Sequence, residues 1–157
     1  MTVIDIKLLD DLSSAAKQSA RLRKNHNFHV LLSDPINRML NAFEPGSYVQ
    51  PHKHELPDKR EVFLVLRGRL VLFYFDDSGQ LTEHVLIDRA AGCYGVEVEP
   101  RRWHMVVALE TDTVVYEIKD GPYNPDNDKI MAPWAPAEGD ARCSEYLKGL
   151  FKKAGLE

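Results

Sequence analysis

Between residues 30 and 118 the chain breaks into short apolar or alternating runs rich in Val, Leu, Phe and Tyr, punctuated by Pro, Gly and Asp. Runs so brief and so often interrupted read as strands rather than helices. The longest apolar stretches, 62–66 and 70–75, are separated by Arg67-Gly68-Arg69. Neither approaches the roughly 20 residues that a membrane helix needs. Strands are expected at 38–43, 48–54, 61–67, 69–76, 81–87, 95–99, 103–110 and 113–119, with Asp76-Asp77-Ser78-Gly79 as the turn of a hairpin. Many strands at even spacing predict an all-β sandwich or barrel.

The flanks differ. Leu8, Leu12, Ala15, Ala16 and Ala20 recur at helical spacing and predict a helix over 8–22. After residue 119, four prolines (Pro122, Pro125, Pro133, Pro136) argue against a regular element over 121–136. Cys143, Tyr146, Leu147, Leu150, Phe151 and Ala154 then form one stripe of an amphipathic helix at 140–154, with Asp140 or Gly139 as its N-cap. The 157 residues suit a single domain: the helix at 8–22, a barrel at about 30–119, and an irregular tail with the C-terminal helix over 120–157. A chain of this size needs no metal merely to fold, so a metal must be argued from function.

Twenty Lys and Arg against 24 Asp and Glu leave a net charge of -4, with the signs mixed along the chain. That disfavours sequence-independent nucleic-acid binding. Residues 1–7 lack a basic start followed by an apolar stretch, so the expected compartment is the cytoplasm, with no membrane partner. Cys93 and Cys143 lie far apart without CxxC spacing, which fits reduced thiols without a functional role.

Of six histidines, His52 and His54 stand two apart in an extended segment, where i and i+2 side chains share a face. An HxH is expected by chance about 0.2 times in such a chain, so the pair alone says little. Two other residues strengthen it. Glu61 opens the otherwise apolar run 61–66, where a carboxylate is costly to bury unless it is paired or binds a metal, and His104 lies on a later strand behind Pro100. Three imidazoles and a carboxylate suit Fe, Mn, Ni, Cu or Zn.

Gly46-x5-His52-x-His54-x6-Glu61-x6-Gly68, followed by Gly95-x4-Pro100-x3-His104, resembles the two motifs of the cupin superfamily. That resemblance implies a double-sheet, jelly-roll barrel holding one divalent transition metal on His52, His54, Glu61 and His104. More narrowly, the chain is similar to the WbuC family of cupin-fold metalloproteins. The similarity rests on Arg21-Leu-Arg-Lys-Asn-His-Asn-Phe-His29, Pro51-His-Lys-His-Glu-Leu-Pro57, Phe63-Leu-Val-Leu-Arg-Gly68 and Glu117-Ile-Lys-Asp-Gly-Pro-Tyr123. Two departures stand out. Six residues separate His54 from Glu61 where cupins have three or four, which makes Glu55 a rival ligand; Glu55 should face the other way, and Glu61 is preferred. The second motif is one residue short, lacks its glycine, and has Ala108 in place of a terminal Asn.

Arg21, Arg23, Asn25, Asn27 and His29 alternate with Leu22, Lys24, His26 and Phe28. If extended, the five share a face that could hold a polar or anionic ligand; a solvated edge strand, or a strand exchanged with a second subunit, is equally open. Arg67 shares a face with Glu61, Phe63 and Val65, which makes it a candidate for the pocket or for solvent. His84 is expected at the surface, and Trp103 and Trp134 in packing. The WbuC resemblance implies a role in bacterial surface-polysaccharide, particularly O-antigen (lipopolysaccharide), biosynthesis. Three functions remain open: a metal-dependent isomerase or epimerase acting on a sugar or sugar phosphate, a metal-dependent dioxygenase, and a sugar- or metal-binding protein without turnover. A homodimer is expected, with residues near 21–32 in its interface.

Overall fold

The computed structural model describes residues 1–156; Glu157, the last residue of the expected 120–157 segment, lies outside the described residues. The chain runs through helix α1 (Ile6–Gln18), strands β1 (Arg23–Asn27), β2 (Ile36–Phe43), β3 (His52–Lys53), β4 (Glu61–Arg67), β5 (Leu70–Phe75), β6 (Leu81–Ile87), β7 (Gly95–Val98), β8 (Trp103–Ala108), β9 (Thr113–Asp120) and β10 (Ile130–Met131), and ends in helix α2 (Cys143–Ala154). Two antiparallel five-stranded sheets result, ordered β1-β2-β9-β4-β7 and β10-β3-β8-β5-β6. This is the expected all-β double-sheet body with a helix at each end.

The burial of each strand follows from what lies on its two faces. Phe43, Phe63, Val65, Leu70, Leu72, Val106 and Val115 meet between the sheets. On the outer face of the second sheet, Val71, Phe73, Met105 and Val107 pack under Leu147 and Leu150 of α2. Every residue of β5 and β8 is therefore buried, which explains why their sequences run apolar instead of alternating. Leu12 and Ala16 of α1 cover Leu40, Ala42 and Val114 on the first sheet in the same way. Each fully buried aliphatic side chain contributes about 1.5–3 kcal/mol. Between β4 and β5 the chain turns at Gly68, whose φ of +73° and a Cβ that would lie 2.3 Å from Thr113 Oγ1 admit only glycine.

Several expected boundaries move. Asp5 caps α1 by accepting from the Leu8 N–H, and the helix stops at Gln18 because the chain turns through Leu22 (φ 54°) into β1. The barrel thus begins at residue 23 rather than 30. Segment 48–54 yields only the two residues of β3. Helix α2 starts at Cys143 because Asp140 is spent in the turn before it, accepting from the Arg142 N–H at 2.8 Å. The proline-rich stretch is not wholly irregular: Ile130 and Met131 pair with Lys53 and His52. The prolines flank β10 and leave its own N–H groups free to pair.

Candidate metal centre and cavity

The two sheets bring four side chains together at one end of the barrel. His52 on β3 pairs directly with His104 on β8, and His54 follows two residues on. Glu61, the first residue of β4, reaches across from the other sheet. One ligand atom from each of the four lies within 4.8 Å of all the others, and all four residues are buried.

The ring tautomers follow from their partners. Nδ1 of His52 faces the carbonyl of Gln50 at 3.0 Å, Nδ1 of His104 that of Arg102 at 2.8 Å, and Nδ1 of His54 that of Asp128. A carbonyl oxygen only accepts, so each Nδ1 carries a proton, and Nε2 is the atom of each ring turned toward Glu61 and left for a metal to take. Nε2 of His104 lies 3.1 Å from Glu61 Oε2. Nε2 of His54 lies 2.9 Å from Oε1 yet out of line for a hydrogen bond, which leaves a buried nitrogen without a partner. Burial, with the charge of Lys129, holds His52 well below the usual imidazole range and hence neutral. Burial pushes the Glu61 carboxyl up, but His104, His54 and Lys119 outweigh it and hold it well below the usual carboxylate range. Imidazoles backed at Nδ1 and converging on an ionised carboxylate form a donor set that fits a divalent transition metal.

The irregular features of the motifs have local explanations. In the glycine-less turn before His104, Arg101 itself takes the left-handed conformation (φ 65°). Its N–H donates to the carbonyl of His54 at 2.9 Å, and its guanidinium pairs with Asp58 at 2.8 Å. Glu55 pairs with Lys53 at 2.6 Å and takes no part in the four-residue cluster.

A cavity of about 370 Å³ opens beside the cluster, with His52 and Glu61 in its wall. Arg21, Arg23, Asn25, Asn27 and His29 all line it, Arg23, Asn25 and Asn27 through the alternation along β1 and Arg21 and His29 from just outside the strand. Part of their capacity is already used. Arg23 donates to the carbonyl of Tyr48 at 2.8 Å and to Glu138 at 2.5 Å, and Asn25 donates to Asn27 at 2.7 Å. Arg67 is a correction: its guanidinium bonds Asp10, the Leu9 carbonyl and Ser13 of α1, and the Asp112 carbonyl. The register of β4 shifts between Val65 and Arg67, which removes Arg67 from the inward face of Glu61 and Phe63. His84 is exposed, and Trp103 and Trp134 pack edge to face.

Sequence reasoning missed the continuation of this wall along the same sheet, past β1. Asn37, Asn41, Glu117 and Lys119 line the cavity from β2 and β9, together with Tyr123 and Lys129. Burial and the negative charge of Glu61 push Glu117 up to about 7, while Asn41 donates to it at 2.5 Å. Asn37 is 1% exposed, and neither of its amide atoms has a partner. The available signal was polar residues at i and i+2 in otherwise apolar strands, Glu117 and Lys119 above all.

No curated protein matches the chain. Among solved structures, CapF in complex with the inhibitor 3-isopropenyl-tropolone aligns with a TM-score of 0.57 and 20% identity over 68% of this chain and 30% of that one. The capsular polysaccharide assembling protein CapF from Staphylococcus aureus gives 0.53 and 19% over 63% and 27%. A cupin-2 domain protein from Rhodospirillum rubrum, Rru_A2000, gives 0.52 and 12% over 82% and 79%. This chain therefore spans less than a third of CapF and most of the cupin-2 protein, and the fold is the cupin jelly roll. The family described as Domain of unknown function (DUF6016) matches residues 4–87, more than half of the chain, and the protein belongs to that family.

Proposed function

We propose that the protein is a metal-binding cupin in which His52, His54, Glu61 and His104 hold one divalent transition metal (Fe, Mn, Ni, Zn or Cu), and that its cavity takes a polar or anionic small molecule of the sugar or sugar-phosphate class. The observation that carries this reading is the set of three imidazoles whose Nδ1 atoms face backbone carbonyls while their ligand atoms converge on Glu61. When bound, the metal would supply Lewis-acid polarisation of a carbonyl or hydroxyl oxygen. The chain's own residues would do the rest. Glu117, pushed up to about 7, can hold or release a proton near neutral pH, the range suited to general acid–base work. Arg21 and Lys129 offer charge to an anion, and Asn37 offers an unpaired donor and acceptor to a hydroxyl. This wall favours a polar ligand over the apolar substrate of an oxygenase.

The setting in bacterial surface-polysaccharide (O-antigen) synthesis, in the cytoplasm, rests on the sequence similarity to the WbuC family; CapF, described as a capsular polysaccharide assembling protein, shares the fold. Among the described residues no helix is long and apolar enough to cross a membrane. A homodimer through residues 21–32 is supported by the position of β1 at the end of its sheet among the described residues, and by the exposure of Val30, Leu31 and Leu32 beside it. The deciding experiment is elemental analysis of protein reconstituted with each of the five metals. Close to one equivalent per chain is expected, and its absence with every metal overturns the reading. Light scattering at micromolar concentration should give twice the chain mass; a strictly monomeric mass removes the dimer.

A further inference from the structure

We propose that Lys59 is a positioning residue for His54, and that the long insert between His54 and Glu61 serves to deliver it. The proposal rests on the metal reading above. Lys59 sits in the six-residue segment by which this chain departs from the usual cupin spacing, and its side chain is only 1% exposed. A buried ammonium is expensive unless fully partnered. Here Nζ donates to Asp128 Oδ1 at 2.8 Å and to the carbonyl of Pro122 at 2.6 Å. The other oxygen of Asp128 accepts from Lys119 at 2.6 Å. The carbonyl of the same Asp128 accepts from His54 Nδ1.

Both carboxylate oxygens of Asp128 are thus pinned by buried cations, while its carbonyl sets the tautomer and ring plane of His54. The pinning matters because residues 121–129, which supply that carbonyl, belong to neither a strand nor a helix. No ladder of backbone hydrogen bonds holds Asp128 in place; side chains do. Lys119 also lies 3.7 Å from Glu61 Oε1, so the same carboxylate steadies a second member of the cluster. Partners that orient a ligating imidazole typically change metal affinity by about 10- to 100-fold when removed.

The test uses Co2+ as probe, with affinity from chelator competition and the visible absorption of the bound ion as a report on ligand geometry. Lys59→Met should weaken Co2+ binding by about 10- to 100-fold and shift the absorption bands. Leu150→Ala, in α2 and away from the cluster, serves as the control that lowers stability without touching His54. Wild-type affinity and spectrum in Lys59→Met, or a change no larger than in Leu150→Ala, overturns the proposal. Should Lys59→Met fail to fold, the near-isosteric Asp128→Asn decides: a shifted spectrum with weaker binding supports the proposal, and unchanged binding and spectrum overturn it. Failure of the wild-type chain to bind Co2+ or any of the five metals strikes the metal reading instead, so the two failures are distinguishable.

Discussion

The two ends of the barrel interior share strands β4 and β9 and hold opposite kinds of residues. At one end Phe63, Val65, Leu70, Leu72 and Val115 pack as an apolar core. At the other, His52, His54, Glu61, His104, Glu117 and Lys119 are buried too. Strand β4 passes through both, from Glu61 to Val65 within five residues. The apolar end is what makes the polar end tolerable: it supplies the folding free energy, and the polar groups satisfy or oppose one another inside a frame already held shut. The first end should therefore govern stability and the second metal content, with little exchange between them.

The sharpest way to break that division is at the imidazoles. His52→Ala or His104→Ala should take the metal content from about one equivalent per chain to none in elemental analysis, while the fold persists by circular dichroism. Next is the carboxylate: Glu61→Gln should release metal to a chelator far more readily than the wild type, and Glu55→Gln should match the wild type, since Glu55 pairs with Lys53 outside the cluster. The reverse ranking would make the insert, and not β4, the source of the fourth ligand. At the apolar end, Leu72→Ala should lower unfolding free energy by about 2–5 kcal/mol in denaturant melts and leave the metal equivalent intact. Smaller again, Arg67→Ala should cost roughly 1–3 kcal/mol by releasing α1, with no effect on metal. The smallest effect belongs to Asn37→Ala, expected below about 1 kcal/mol: its buried amide has no partner to lose, whereas Leu40→Ala, equally buried on the same strand, should cost several times more. Equal losses at the two positions would mean that Asn37 is bonded after all.

The legible parts of the molecule were those fixed by local pattern. The bounds of β4 and β6 could be read directly, because each is a run with turn residues at both ends. The i, i+2 rule gathered Arg23 with Asn25 and Asn27 because a strand imposes its period whatever it packs against, and it held for His54 beside His52 and for Arg21 and His29 although β3 and β1 stop short of them. What escaped depends on contacts distant in sequence. Strand β10 exists only because β3 lies beside it. Arg67 left the cavity face through a register shift that no alternation pattern records. Lys59 reads as an ordinary surface lysine until Asp128, 69 positions away, is placed against it.

Strand β3, two residues long and held between β8 and β10, also fixes the order of events in folding. His52 pairs with His104 and Met131, and His54 leans on the carbonyl of Asp128. These are among the most non-local contacts in the chain, and contacts of long sequence separation form late, after their loops have closed. During synthesis, which runs N-terminal first, residues 52–61 emerge long before residues 104–131 can join them. A chain still on the ribosome can present the HxH pair but not a closed site. A metal at this cluster, as proposed, would meet all four ligands together only once the barrel has closed, with the cavity beside His52 and Glu61 as its way in.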